Sequence, residues 1–475
     1  MKKSLKKIAS MSLCAAMVMG TLAGCSSGSS DAAATTAATT AAAGGETTGT
    51  AAGEEAPAEG TNSNQPYAGV TLKYATTQTA STGDENLKLI ELVKEQTGIN
   101  IEFYVIPSAK AGEVDKTLVS LMAGDEIDLI YNTKPGLKTF YNAGVLTPLN
   151  EIAATVGYDI PGTFGDYVPE FDGDVYGLPA FSDIWITLYN KKIFDDAGVP
   201  YPSAEGWTWE KYIETAKQLT DTSKGIYGSF MLDYDCYAYM YALQKGWEPY
   251  KADGTANFDD PLFKESVEFF YGLGNNEKIQ PSILEFKAAN MPWNSFVSTG
   301  NYGMFMCGGW VTSVLNQFDK YPREWKTGLL PMPYPEGEEP STLTVPGCYA
   351  VPSTSKNKEA AFVAAACMAE NQYTLGMGRV PARVDLTDEE INNYIETSLA
   401  APYEFDGISV EDFKAAWFDS NRTALSEKII GVGDAAISQI IIEEGQLYGQ
   451  GAQDIDTTIT KIQERGNKAI QDDTQ

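Results

Sequence analysis

Apolar and polar positions alternate between two periods along most of this chain, and the alternation predicts its elements. After residue 66 the order begins with a strand at 70–75 and the polar run Thr76, Thr77, Gln78 and Thr79. Leu87, Leu89, Ile90, Leu92 and Val93 then keep a helical stripe until Gly98. A second strand is predicted at 99–106, a helix over 114–122 stopping at Gly124, and a short buried strand at 127–131. Strand, helix, strand, helix, strand predicts an α/β fold with a mostly parallel sheet. In such sheets ligands sit outside the carboxyl ends of the strands, which points to Thr77 and to Tyr131 with the residues after it. Asp172-Gly173 has the composition of a hairpin turn, and with Asp174 alone it lacks the spaced oxygens of a calcium loop. Further along, Asp260 with Pro261 and Thr387 with Glu390 are helix starts. Late helices are expected at 410–417, 425–430 and 455–470.

The first 66 residues have a different pattern. Lys2, Lys3, Lys6 and Lys7 precede an apolar run that is too short and small-residued for a stable span, the layout of an export signal. It ends at Leu22-Ala23-Gly24-Cys25, which resembles the bacterial lipobox and implies a lipid on Cys25 as the new N-terminus. At ~0.8 kcal/mol per buried CH₂, two or more long acyl chains anchor stably. Residues 26–66 are mostly Ala, Thr, Gly, Ser and Glu, a composition that cannot bury enough apolar surface to order itself, and are expected to form a disordered tether.

Charge and composition narrow the chemistry. Lys and Arg number 34 against 64 acids, a formal net charge of −30, which makes nucleic acid a poor partner. There is no histidine, which removes Ser-His-Asp and Cys-His catalysis and His-ligated zinc. Hydrolysis by paired carboxylates survives that test. No cofactor or metal is called for. Cys236, Cys307, Cys348 and Cys367 form no close pair, and Cys307 and Cys367 lie in apolar runs, so buried free thiols are expected.

A family resemblance enters at Tyr176-Gly177-Leu178-Pro179, Leu188-Tyr189-Asn190-Lys191 and Trp207-Thr208-Trp209-Glu210, which opens a helix to Leu219. It continues at Gly308-Gly309-Trp310, at Pro346-Gly347-Cys348-Tyr349 leading into a helix over 358–369, and at Gly378-Arg379-Val380-Pro381-Ala382-Arg383. In order and spacing, these resemble the extracellular solute-binding proteins (family 1, carbohydrate branch) of bacterial ABC importers.

The resemblance implies a two-lobed, type II-like α/β fold with three crossings, near 181–185, 335–342 and 372–379. The first lobe would take 67–182 and 343–371, the second 183–342 and 372–475. It also implies a monomer that captures a sugar without bond cleavage, delivers it to permease subunits, and works from the outer face of the cell membrane. Asp183 would be the sugar-binding acid and Trp310 the aromatic platform, because a sugar presents hydroxyls at its edge and an apolar C–H face. Trp185, alternating with Asp183, would share its face. Asp235 and Tyr237 in a second-lobe loop, Tyr349 and Arg379 complete the candidates, while Trp207, Trp209 and Trp247 are expected to pack. The rival classes are a surface glycosidase and a sugar-sensing receptor subunit.

Overall fold

The computed structural model describes residues 65–107, 115–231, 234–315, 317–375, 379–419 and 421–473. Cys25, the export signal and the tether up to residue 64 lie outside these residues, as does Gly378.

The first sheet begins as the periodicity predicts. Thr71–Thr76 pairs in parallel with Asn100–Val105, and Tyr74 bridges in parallel to Leu129 at the foot of Ile130–Thr133. Beyond that strand the order turns antiparallel: Gly347–Ala350 pairs with Ile130–Thr133 on one side and with Leu178–Phe181 on the other. Half of this sheet is therefore closed by a strand from far along the chain, which local pattern does not encode. The helix Asp84–Thr97 carries Asp84 and Glu85 in its first turn, where the helix dipole favours acids. It buries Leu89 and Val93 one turn apart and ends at Gly98, whose φ of 72° suits glycine. Asp172 and Gly173 form the predicted hairpin, joining Glu170–Phe171 to Asp174–Val175 with φ of 53° and 89°.

A second sheet runs Thr327–Pro331, Trp185–Asn190, Tyr302–Gly308, Tyr227–Phe230; the first two pairings are antiparallel and the last is parallel. Tyr302–Gly308 is buried along its whole length, which its unbroken small and apolar run requires. Thr208 caps Trp209–Leu219, Asp260 caps Pro261–Asn275, and Thr387 with Glu390 forms a full capping box. Trp207, Trp209 and Trp247 are buried, as are all four described cysteines, which are free thiols.

The chain passes from the first sheet to the second across Ser182, Asp183 and Ile184. It returns through Ser341–Thr344, and after the helix Lys358–Asn371, which packs on the first sheet, it leaves again through Arg379 to Ala382. That last passage lies beside the first: Ser182 N donates to Val380 O at 3.0 Å and Ala382 N to Ala180 O at 3.2 Å.

One predicted helix is overturned. Residues 425–430 hold part of the strand Thr423–Ser426, paired in parallel with Ser341–Thr344, and the helix of this region is Asp434–Gly449. Leu425, Ile429 and Ile430 are too short an apolar run for periodicity to separate strand from helix, and the strand is chosen by the edge of Ser341–Thr344.

Candidate functional site

The first sheet presents its strand ends to a cavity of about 440 Å³, within the range of small-molecule sites. Thr76, Thr77, Asn86, Asp115, Tyr131, Asn132, Tyr349, Gln372 and Arg379 all line it. Thr77 caps a single turn, accepting from Ala80 N at 3.3 Å. Tyr349 is 1% exposed, so its hydroxyl needs a partner and donates to Gln372 Oε1 at 2.7 Å. Its ring meets Tyr131 edge-on at 5.1 Å and Tyr74 at 6.0 Å. Gly347 makes room for this arrangement, because a Cβ there would lie 1.9 Å from Tyr131 Oη. Burial pushes the Tyr131 hydroxyl up to about 12; nearby Arg379 opposes that and Asp183 adds to it.

Asp183 and Arg379, 196 residues apart, form a bidentate pair, with Arg379 Nε on Asp183 Oδ1 at 3.0 Å and Nη2 on Oδ2. The Arg379 guanidinium also lies 4.3 Å from the centre of the Phe181 ring. Burial alone would favour loss of its proton, but Asp183 and Tyr131 outweigh this and hold the group charged. Asp183 adopts φ 40°, a left-handed conformation that Asp tolerates better than most residues. Asp183 is therefore in the crossing itself and not in the strand that begins at Trp185, so the expected alternation between them does not apply.

On the second sheet, Trp310 follows Gly308 and Gly309 and is half-buried, edge-on to the exposed Trp293 at 5.4 Å. Both glycines are needed: a Cβ at Gly308 would meet the Trp310 indole at 2.4 Å and one at Gly309 would meet Ile184 O at 2.8 Å. Trp185 is 1% exposed and donates its indole N–H to Glu427 Oε2 at 2.8 Å. Asp235 opens the helix Asp235–Gln244 instead of lying in a loop, and it is bound by Lys428 Nζ at 3.0 Å and by the Tyr239 hydroxyl at 3.3 Å. Tyr237, fully buried, donates to Met306 O at 2.7 Å and stacks on Phe270 at 5.3 Å.

Tyr131, Tyr349, Arg379 and Thr77 are thus brought together around one cavity, with Asp183 behind Arg379. Trp185, Asp235 and Tyr237 are turned inward. Asn86, Gln372, Glu427 and Lys428 escaped the sequence reading. Asn86 and Gln372 sit inside helical patterns that give no hint of exposure to a cavity, and Glu427 and Lys428 were hidden in the segment misread as a helix.

Residues 88–397 match the family of bacterial extracellular solute-binding proteins. The chain belongs to that family. Among curated relatives of this solute-binding protein, a binding protein of Brucella abortus is 24% identical over 278 residues, 56% of this chain and 64% of the relative. The chain thus spans less than two thirds of that relative's length. An arabinooligosaccharide-binding protein of Halalkalibacterium halodurans is 27% identical over 129 residues, 27% of this chain and 28% of the relative. An ABC substrate-binding protein from Listeria monocytogenes, solved in complex with cycloalternan, has the same two-lobed fold at TM-score 0.67 and 20% identity, covering 85% of this chain and 99% of that one. The family and these relatives are binding proteins, and the family is extracellular.

Proposed function

We propose that this solute-binding protein captures a sugar or oligosaccharide between two hinged lobes and delivers it to the permease subunits of an ABC importer. The observation that carries the reading is the first-sheet cavity, where Tyr131, Arg379, Thr77 and Asn86 place aromatic rings and hydrogen-bonding groups of both kinds on one surface. Sugars need that combination. The saccharide-binding relatives support the same solute class.

In this reading the lobes divide as 67–182 with 343–371 and 183–342 with 372–475, and they close as a hinge because the crossings lie side by side. Solute favours the closed state only through the extra contacts made there. Asp183 orients Arg379, Trp310 stacks on the sugar face, and Trp185, Asp235 and Tyr237 hold the second-lobe wall from behind. The protein acts without bond cleavage, as a monomer tethered outside the membrane by lipid on Cys25. Palmitate labelling of wild type against Cys25→Ser tests the anchor, and equal labelling refutes it.

A thermal-shift screen across mono- and oligosaccharides followed by calorimetry tests the site. A tight ligand at 100 times its dissociation constant adds ~2.7 kcal/mol of stability. Asp183→Ala and Trp310→Ala are each expected to weaken the best ligand by more than about tenfold, because each removes a charged or aromatic anchor. If both bind as wild type does, the site is elsewhere.

A further inference from the structure

A second cavity, of about 480 Å³, lies beside the first-sheet cavity. Tyr131, Asn132 and Tyr349 line the first; Lys134, Val345 and Pro346 line the second, and Thr133 pairs with Gly347 between them. Asn132 and Lys134 are two positions apart, at most about 7 Å along the chain. One extended solute can therefore enter both cavities. The second is also lined by Tyr167, by Arg422 and by the strand Thr423–Ser426, through Thr423, Ala424 and Ser426.

Its charge differs from that of its neighbour. In the first-sheet cavity Arg379 is already matched by both oxygens of Asp183. Lys134 is half-buried, and its ammonium has no ion pair or hydrogen bond among the described residues. It stands in the first turn of the helix Lys134–Asn142, where the helix dipole disfavours a cation, so it does not serve that helix. Arg422 is fixed by the carbonyls of Ala415 and Ala416, both at 2.9 Å, with Asp419 at 3.5 Å as its countercharge. The one acid in the lining is the exposed Asp166, which forms no pair with Lys134. The strand adds donors. Thr423 N and Glu427 N donate to Pro340 O and Thr344 O, so the alternate residues Ala424 and Ser426 turn their N–H groups to the strand's open edge. Those two N–H groups have no partner among the described residues.

We propose that the second cavity binds the carboxylate of an acidic sugar residue with Lys134 as its counter-ion, so that the solute is a uronate-containing oligosaccharide. An unpaired ammonium among N–H donors suits carboxylate oxygens, which only accept, and the Tyr167 ring suits the apolar C–H face of the same sugar. The net charge of −30 does not oppose this at physiological salt, where exposed charges beyond about 8 Å are largely screened. The inference rests on the carbohydrate reading and names the class within it.

The test is calorimetric titration of the purified full chain with three neutral trimers, arabinotriose, xylotriose and maltotriose, and two acidic ones, trigalacturonate and trimannuronate. At least one acidic trimer is expected to bind about tenfold or more tightly than any neutral one, as for a gained charged hydrogen bond. Lys134→Met should weaken that acidic trimer by at least about tenfold and leave any neutral binder within about twofold, while Lys134→Arg should keep most of the preference. A neutral trimer that binds as tightly as both acidic ones overturns the inference and leaves the carbohydrate reading standing. Equal losses on acidic and neutral trimers in Lys134→Met also overturn it, since they would mark a structural role. Absence of binding by all five probes instead sinks the carbohydrate reading and the inference with it.

Discussion

Around the first-sheet cavity the tyrosines are held by neutral contacts, Tyr349 to Gln372 at 2.7 Å and edge-on to Tyr131 at 5.1 Å, and the ion pair there joins Arg379 to Asp183. Around the second sheet the frame is ionic: Lys428 pairs with Asp235 and Glu427, and Arg323 and Asp406 form a pair whose side chains are 0% and 1% exposed. Neutral hydroxyls and amides can exchange partners with a solute at little cost. A buried ionic frame cannot, because separating its charges exposes each to a low-dielectric interior. The comparison teaches that, under the proposed function, the first-sheet cavity is the part suited to reading a hydroxyl pattern and the second sheet the part suited to a fixed frame.

The largest expected effect strikes the ionic side. Asp406 accepts from Arg323 Nη1 and Nη2 at 2.6 and 2.7 Å and from Thr327 N at 2.6 Å, so one carboxylate ties the approach to the outer strand Thr327–Pro331 to the sheet. Asp406→Ala should lower stability by about 3–5 kcal/mol, the cost of leaving a buried cation unpaired. Urea unfolding measures it, and a loss under about 1 kcal/mol would remove the contrast between the lobes.

A smaller effect belongs to the neutral side. Gly347→Ala places a methyl where the Tyr131 hydroxyl now lies. Because the Tyr131 ring must shift against Tyr349, stability should fall by about 1–3 kcal/mol while solute affinity falls by about fivefold, roughly one hydrogen bond. If affinity is unchanged, Tyr131 does not contact solute.

The smallest effect is none at all. The chain has no histidine, and the Tyr131 hydroxyl titrates only near about 12. Solute affinity should therefore stay flat between about pH 6 and 9, the range in which histidine is the usual titrating side chain. A clear slope in calorimetry across that range would reveal a titrating group in the cleft.

Much of the fold was legible because it rests on local rules. Gly98 stops a helix, Asp260 and Thr208 start others, and Asp172-Gly173 turns a hairpin, each through the conformational preference of one or two residues. The candidate site was legible in part. Thr77 and Tyr131, which line the cavity, follow from the rule for strand ends. Trp185 and Asp183 illustrate where that reasoning stops. Two positions apart in the chain, they were assigned one face, yet Asp183 turns to Arg379 and Trp185 to Glu427, 242 residues away.

The sequence by itself determined the class of fold, several helix starts and stops such as Asp260 and Gly98, and the chemistry excluded by the missing histidine, since each depends on neighbours within a few residues or on composition alone. The tertiary structure alone decided which of the charged and aromatic side chains face the cleft. That choice depends on pairings such as Thr423–Ser426 against Ser341–Thr344, and a strand's partner is set by global packing that no local period records.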